Sequence, residues 1–390
     1  MANIAFILNK FPDGGIERVT MNLVGPLARN KGHNIFIFVH ELNEERLVGA
    51  DLPVTYIHTP YPSWRKENRD TIYNSIIEHN IDVLFSPCVA PKYIFEFKHR
   101  KICKVCFVLH SQPLYELVEK FNSFKNIKGS WYNNMRRILF KETKYKLGIY
   151  HRRCKKNYKK IYNNVDAYGV LFDSYKAELE RELELSPDKS KIITLSDPIL
   201  PIKETPTIGG REKCILFVGR LSHSDKRVDR LLNVWGKIYN QFPEWRLEIV
   251  GEGDDMESLQ EYVANHNLPR VYFMGYSATP QIHYKKSEIL CLTSTFEGLG
   301  MVLLEAQQWC CATMAFSCSS GVKEVLSPNW ENGVHVPDGN IAAYAEALSK
   351  LMSNDELRRK IQQNGPASAN RFSIERSVEQ YDNLIQKLLK

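Results

Sequence analysis

Glu297 and Glu305 lie eight positions apart and flank Gly298-Leu299-Gly300-Met301, in a segment that follows a short apolar run and leads into a helical pattern. Gly298 and Gly300 admit close backbone approach by a ligand, and a helix opening here offers free amides and the positive end of its dipole. That combination suits a diphosphate. Glu297 would then face whatever the phosphates carry, and Glu305, about one turn into the helix, could accept two hydroxyls such as those of a ribose. The alternative is a plain helix start, where Glu297 complements the dipole and Glu305 is solvated. A second segment, Gly219-Arg220-Leu221-Ser222-His223-Ser224-Asp225-Lys226, also follows an apolar run. Arg220 supplies a planar fork and Lys226 a point charge, and the two could grip a diphosphate from the side opposite the helix amides. With those charges present no metal is obligatory, and no cofactor is expected. Arg227 and Arg230 keep open the alternative of a solvated basic loop.

Three further places carry weaker signals. Val250-Gly251-Glu252-Gly253 is a lone G-x-G and equally a tight turn. Asp13-Gly14-Gly15-Ile16-Glu17-Arg18 opens the first helical pattern, where Gly15 permits close approach. It has neither G-x-G-x-x-G nor an acid placed for a dinucleotide ribose, which disfavours an NAD site. His110 closes an apolar run, a position more often structural than catalytic. Asp173-Ser174 reads as a helix cap.

What positions these residues is an alternation of short apolar runs with amphipathic stretches. Residues 4–8, 35–39, 83–86, 102–110, 167–173 and 192–195 read as strands. Their continuous apolarity is what a parallel sheet covered on both faces requires. A helix is expected over 16–29, kinked at Pro26. Residues 196–213, with Pro198, Pro201, Pro206, Gly209 and Gly210, read as a linker. The pattern then restarts, with strands at 214–218, 247–250, 271–274, 289–293 and 313–316 and helices at 228–241, 256–265, 301–309 and 342–352. The expected fold is α/β, two doubly wound Rossmann-like domains facing across a cleft. The domains are 1–198 and 199–371. A final helix, 372–390 with Ser373 as its cap, would pack back on the first domain.

In order, these segments resemble the retaining glycosyltransferases of family 4, which have the GT-B fold. The Glu297–Glu305 pair is their Glu-x7-Glu signature. The likeness continues through Phe217-Val218-Gly219-Arg220-Leu221-Ser222, Ile249-Val250-Gly251-Glu252-Gly253, Val271-Tyr272-Phe273-Met274-Gly275 and Gly14-Gly15-Ile16-Glu17-Arg18-Val19. It is weakest over 113–164. The resemblance implies transfer of a hexose or N-acetylhexosamine from a nucleotide-diphosphate sugar, with UDP the commonest nucleotide. The acceptor would be a glycan or a lipid-linked glycan in cell-surface polysaccharide assembly. It implies that Arg220 and Lys226 hold the diphosphate with the amides of Gly298, Leu299 and Gly300 assisting. Glu305 would hold the ribose, Glu297 would contact the donor sugar, Gly275 and Tyr276 would lie near the base, Gly15 near the phosphates, and His110 along the sugar pocket. Three positions depart from the family: Cys310 replaces a helix-ending glycine, Asp197-Pro198 stands where Asn-Pro is common, and Pro26 interrupts the first long helix. The rival readings are another nucleotide-sugar enzyme, such as an epimerase, and a non-enzymatic RNA- or membrane-binding module.

Composition bounds the rest. With 390 residues, 43% hydrophobic and 25% charged, the chain is long enough for two cores and excludes collagenous and mostly disordered classes. No apolar run is long enough to span a bilayer. Asn9, Lys10 and Asp13 interrupt what would be the apolar part of a signal peptide. Nine cysteines suit a reducing compartment, and Cys103 and Cys106, three apart on an expected strand, read as buried thiols. The net charge of +7 conceals an asymmetry: residues 120–160 hold fourteen Lys or Arg against the single acid Glu142, a net +13, so the remainder is acidic at −6. Interleaved with these cations are Phe121, Phe124, Trp131, Tyr132, Phe140, Tyr145, Tyr150 and Tyr158. The mixture suits an anionic membrane surface, ahead of a solvated face and of RNA, and no nucleic-acid partner is expected. The expected location is cytoplasmic, peripheral on the inner face of the cell membrane.

Overall fold

The computed structural model describes the chain except residues 13, 48–51, 88–89, 126–142 and 146, and of 121–125 the backbone only. Asp13, residues 126–142 and 146 of the basic insert, with Trp131, Tyr132 and Phe140, and the side chains of Phe121 and Phe124 therefore lie outside the described residues. The chain forms two compact units. The first comprises residues 1–113, 151–200 and 372–390, and the second 114–150 and 201–371.

The first unit is built on a seven-stranded parallel sheet. Its strands are β1 (Asn3–Phe11), β2 (Asn34–Leu42), β3 (Val54–His58), β4 (Val83–Pro87), β5 (Lys104–Leu109), β6 (Ala167–Val170) and β7 (Ile192–Thr194), in the order β3-β2-β1-β4-β5-β6-β7. The central strands are buried on both faces, as their unbroken apolar runs demand. The helix Gly15–Lys31 runs through Pro26 without a break and ends at Gly32, whose left-handed backbone lets its amide reach the Ala28 carbonyl at 3.0 Å. The helix Ile374–Leu389 packs on this unit: Tyr381 tilts against Phe85, and Asp382 receives His33 at 2.9 Å. Ser373 caps it by accepting from the Arg376 amide.

The second unit repeats the plan with six parallel strands. These are β8 (Glu212–Val218), β9 (Arg246–Val250), β10 (Val271–Gly275), β11 (Ser287–Leu292), β12 (Ala312–Phe316) and β13 (Val334–Val336), ordered β10-β9-β8-β11-β12-β13. Its core gathers Ile215, Phe217, Leu231, Trp235, Trp245, Leu247, Met314, Phe316 and Tyr344.

Both sheets reverse their winding, between β1 and β4 in one and between β8 and β11 in the other. Loops leaving the carboxyl ends of such a strand pair diverge and open a crevice, the place where open α/β sheets bind ligands.

Some boundaries move from the sequence expectation. The strand expected over 167–173 stops at Val170, because the chain turns there to start the helix Asp173–Leu183, with Phe172 rather than Asp173 at the cap position. The helix expected over 228–241 ends at Ile238 and continues as a tighter turn, Tyr239–Gln241. Cys310 takes the left-handed conformation (φ 54°) that glycine usually supplies, and the turn still closes through its amide on Gln307 and that of Cys311 on Ala306. Cys103 and Cys106 are buried free thiols; burial pushes the first up to about 12 and the second well up.

Candidate functional site

The β8–β11 switch point brings together two loops that are far apart in sequence. Residues 219–227 follow β8, and residues 293–300 follow β11 and run into the helix Met301–Gln308. Side chain and backbone stitch them: the Thr295 amide donates to the Asp225 carbonyl at 2.8 Å, and the Thr293 hydroxyl donates to the Arg227 carbonyl at 3.0 Å. The loop after β9 closes against the first of them. The Leu221 amide donates to the Glu252 carbonyl at 2.8 Å, and the Gly219 amide to the Val250 carbonyl at 3.0 Å. A methyl group at Gly251 would lie 1.9 Å from the Gly219 carbonyl oxygen, and one at Gly253 would lie 2.2 Å from that of Leu221. The glycines of the G-x-G segment are thus used for backbone-to-backbone contact inside the loop cluster.

Within this frame Lys226 and Glu297 meet. The Lys226 ammonium lies 2.7 Å from Glu297 Oε1, and the Ser294 hydroxyl donates to the same oxygen at 2.5 Å. Glu297 is only 8% exposed, so its carboxylate depends on partners such as these in place of water. Burial alone would lower the Lys226 ammonium, but the Glu297 carboxylate, with Asp225 nearby, outweighs it and holds the group above its ordinary value. Arg220 has its own carboxylate: its guanidinium donates to Asp225 Oδ2 at 2.8 Å. Burial would raise Asp225, yet hydrogen bonds from Ser222 and Arg220 and the charge of Lys226 hold it below the usual range. Each of the two cations is thus already paired to a buried acid, Arg220 to Asp225 and Lys226 to Glu297. Arg220 is two-thirds exposed and Lys226 about one-quarter, so the Arg220 fork reaches outward while Lys226 sits deeper.

Gly300 caps the helix Met301–Gln308 in the left-handed conformation (φ 74°), and Leu299 is buried beside it. Glu305, on that helix, accepts the Tyr284 hydroxyl on Oε2 at 2.8 Å. Phe296, beside Glu297, tilts against Tyr115, their centroids 6.0 Å apart. Gly275 ends β10 at φ 71°; its carbonyl receives the Gly251 amide at 2.8 Å, and Tyr276 is exposed. Gly219, Arg220, Lys226, Gly251, Gly253, Gly275, Tyr276, Glu297, Gly298, Leu299, Gly300 and Glu305 all belong to the second unit, on the loops and helix start beyond β8–β11.

Gly15 and His110 belong to the first unit. Gly15 opens the helix after β1, and among the described residues, its chain neighbours and own helix backbone aside, no atom lies within 4 Å of where a Cβ would stand. His110 follows β5, and its Nδ1 lies 2.7 Å from Asp197 Oδ1, both side chains being buried. Asp197, read from sequence only as a departure from Asn, is thus the partner of His110. Sequence reasoning also missed Asp225, Ser294 and Tyr284, each a common residue type whose role appears only with its partner in space.

Comparison with known proteins agrees with this picture. Residues 200–368 match the model of a family described as glycosyl transferases group 1. An uncharacterized glycosyltransferase of Haemophilus influenzae is 30% identical over 210 residues, covering 53% of this chain and 59% of that protein. A lipopolysaccharide 1,6-galactosyltransferase of Escherichia coli is 29% identical over 169 residues, covering 42% of this chain and 45% of that protein. The chain thus spans roughly half the length of these curated relatives. The Anabaena protein HepE, solved in complex with UDP, aligns with a TM-score of 0.73 at 15% identity over 99% of this chain and 100% of its own. The fold is GT-B, and the family match and relatives support a group 1 glycosyltransferase.

Proposed function

We propose that this protein is a retaining glycosyltransferase that moves a hexose or N-acetylhexosamine from a nucleotide-diphosphate sugar, a UDP-sugar, to a glycan or lipid-linked acceptor in cell-surface polysaccharide assembly. The observation that carries the reading is the convergence of Arg220, Lys226 and the helix start at Gly300 on the β8–β11 switch point, with Glu297 held beside Lys226. In this reading the bond from the sugar's anomeric carbon to the diphosphate breaks, and the acceptor oxygen bonds that carbon on the same face. Charge gathers on the departing diphosphate, where preorganised cations and amides contribute most to catalysis. That diphosphate takes the acceptor's proton, and no side chain is assigned as base. Arg220 and Lys226 perform the neutralisation that a divalent cation would otherwise supply. UDP as nucleotide is supported by the HepE complex and polysaccharide assembly by the lipopolysaccharide relative. Neither source favours the epimerase or the non-enzymatic reading.

The test is to incubate the protein with a panel of nucleotide sugars and follow slow hydrolysis and then transfer. Arg220→Ala and Glu305→Ala are each expected to lower transfer by about a hundredfold or more with the fold intact. An undiminished rate in either sinks the assignment of the site.

The membrane reading rests on the part of the insert that is described. The helix Ile149–Asn163 contains no acid and exposes Arg152, Arg153, Lys156, Lys159 and Lys160, while Tyr158 and Ile161 are buried. Each cation near an anionic bilayer contributes about 1 kcal/mol. No described helix is long and apolar enough to cross a membrane. We infer peripheral attachment at the cytoplasmic face through this helix. Reversing Arg152, Lys156 and Lys159 to Glu is expected to release the protein from phosphatidylglycerol vesicles at low salt and to leave transfer to soluble acceptors unchanged. If the unaltered protein does not sediment with those vesicles, the stripe is a solvated face.

A further inference from the structure

Glu305 is held by a group that the donor reading does not use. The Tyr284 hydroxyl donates to Glu305 Oε2 at 2.8 Å, and Tyr284 is 1% exposed, so its ring is locked among neighbours. Burial first, and then the Glu305 carboxylate, push the Tyr284 hydroxyl well up, so it remains a donor at any neutral pH. The two residues ride on short helices, Gln281–Lys286 and Met301–Gln308, which have little stability of their own. Arg211 fastens the ends of both. Its guanidinium donates to the carbonyls of Tyr284 at 2.8 Å and Ser287 at 2.7 Å, and also to that of Trp309, which ends the Glu305 helix. On the other side Gly365 brings the helix Asp355–Ala369 against the Gln307 backbone so closely that a Cβ there would lie 2.7 Å from the Gln307 carbonyl oxygen. Arg211 therefore ties the ends of the two helices together, Gly365 seats the Glu305 helix against its other neighbour, and the Tyr284–Glu305 bond joins the pair.

A glutamate on a helix has three side-chain torsions to fix before its carboxylate can meet a pair of hydroxyls, and fixing them on binding costs affinity. A charge-assisted hydrogen bond from a buried phenol removes that freedom beforehand. We propose that Tyr284 is a positioning residue for ribose recognition, its hydroxyl holding the Glu305 carboxylate in the orientation that meets the ribose hydroxyls of a nucleoside diphosphate. The proposal rests on the reading of Glu305 as the ribose ligand and adds to it the residue that aims it.

The test compares UDP, ADP and GDP, each with its 2′,3′-dideoxy form, titrated calorimetrically into the unaltered protein, Tyr284→Phe, Glu305→Ala and the double variant. Tyr284→Phe is expected to weaken the preferred ribonucleotide about tenfold, to leave the dideoxy form unchanged, and to add nothing in the Glu305→Ala background. The double variant removes donor and acceptor together, so the coupling is measured even where Tyr284→Phe alone weakens the fold. An equal loss for ribo and dideoxy forms, or no loss for either, overturns the proposal. Glu305→Ala without effect on ribonucleotide affinity, or no binding of any nucleotide, overturns instead the reading on which it rests.

Discussion

Lys226→Ala is expected to reduce transfer by a thousandfold or more, on the order of removing a principal charge from a preorganised oxyanion site, and to destabilise the second unit as well. The two effects have separate origins. Transfer fails because the ammonium that would neutralise the departing diphosphate is gone. Stability falls because Glu297, 8% exposed, loses the cation that lies 2.7 Å from its Oε1. Leaving a buried carboxylate in that state costs roughly 3–5 kcal/mol. The two separate experimentally in Lys226→Ala/Glu297→Ala, which removes both charges: it should recover much of the melting temperature and none of the activity. The pH dependence follows from the raised Lys226 value. A cation whose folded pKa lies above its unfolded one contributes fully at pH below about 10.5, and the contribution is lost as pH rises through the higher folded value. The stability difference between the unaltered protein and Lys226→Ala should therefore hold from neutral pH to about 10 and narrow only beyond it. Asp225 works in the opposite sense. Its lowered pKa contributes stability above about 3.8 that is lost as pH falls through the folded value. Activity of Lys226→Ala within tenfold of the unaltered protein would remove Lys226 from the catalytic group.

How far the site could be read from sequence depends on what kind of interaction each residue makes. The central strands were legible because a parallel strand covered on both faces has to be apolar throughout, as in Ile4–Leu8 within β1 and in β8. β3 was not legible: at the sheet edge none of its residues is fully buried and Thr55 and His58 are exposed, so no continuous run marks it. β13, three residues long, gives no pattern to detect. The loops were legible wherever they use glycine, since Gly219, Gly251, Gly275 and Gly300 all adopt positive φ. What each glycine accommodates was not legible. Gly251 and Gly253, from sequence a lone G-x-G and equally a tight turn, pack against the backbone of residues 219–221. Charged partners are the hardest to foresee. Lys226 and Glu297 are 71 positions apart and Glu305 and Tyr284 are 21 apart, and only the winding of the chain around β11 makes either a pair. His110 with Asp197 is the same case in the first unit.

Gly251→Ala should be the most damaging single methyl group in the donor region, and comparison with Gly15→Ala shows why. At Gly251 the added carbon would stand 1.9 Å from the Gly219 carbonyl oxygen and 2.9 Å from its carbon, and φ is 141°, outside what a side chain readily adopts. The obstruction is backbone, so no rotamer change relieves it. Either the β9 loop or the residues after β8 must move, breaking the Gly219–Val250 and Leu221–Glu252 hydrogen bonds that join them. A combined clash, strained backbone and two lost bonds correspond to about 3–5 kcal/mol. The displaced segment carries Arg220 and leads to Lys226, and an ångström of misplacement in a positioning group costs on the order of a hundredfold in rate. Gly251→Ala should therefore lower the melting temperature, nucleotide affinity and transfer together. Gly15 offers the contrasting case. Among the described residues, its chain neighbours and own helix backbone aside, no atom lies within 4 Å of its Cβ position, and as the first residue of a helix it gains propensity from alanine. Gly15→Ala should fold as well as the unaltered protein or slightly better, so any loss of transfer it shows reports close approach of the donor phosphates to that backbone. Thermal denaturation and donor titration of the two variants side by side distinguish a glycine required by the fold from one required by the ligand. Equal stability loss at both positions would refute the distinction.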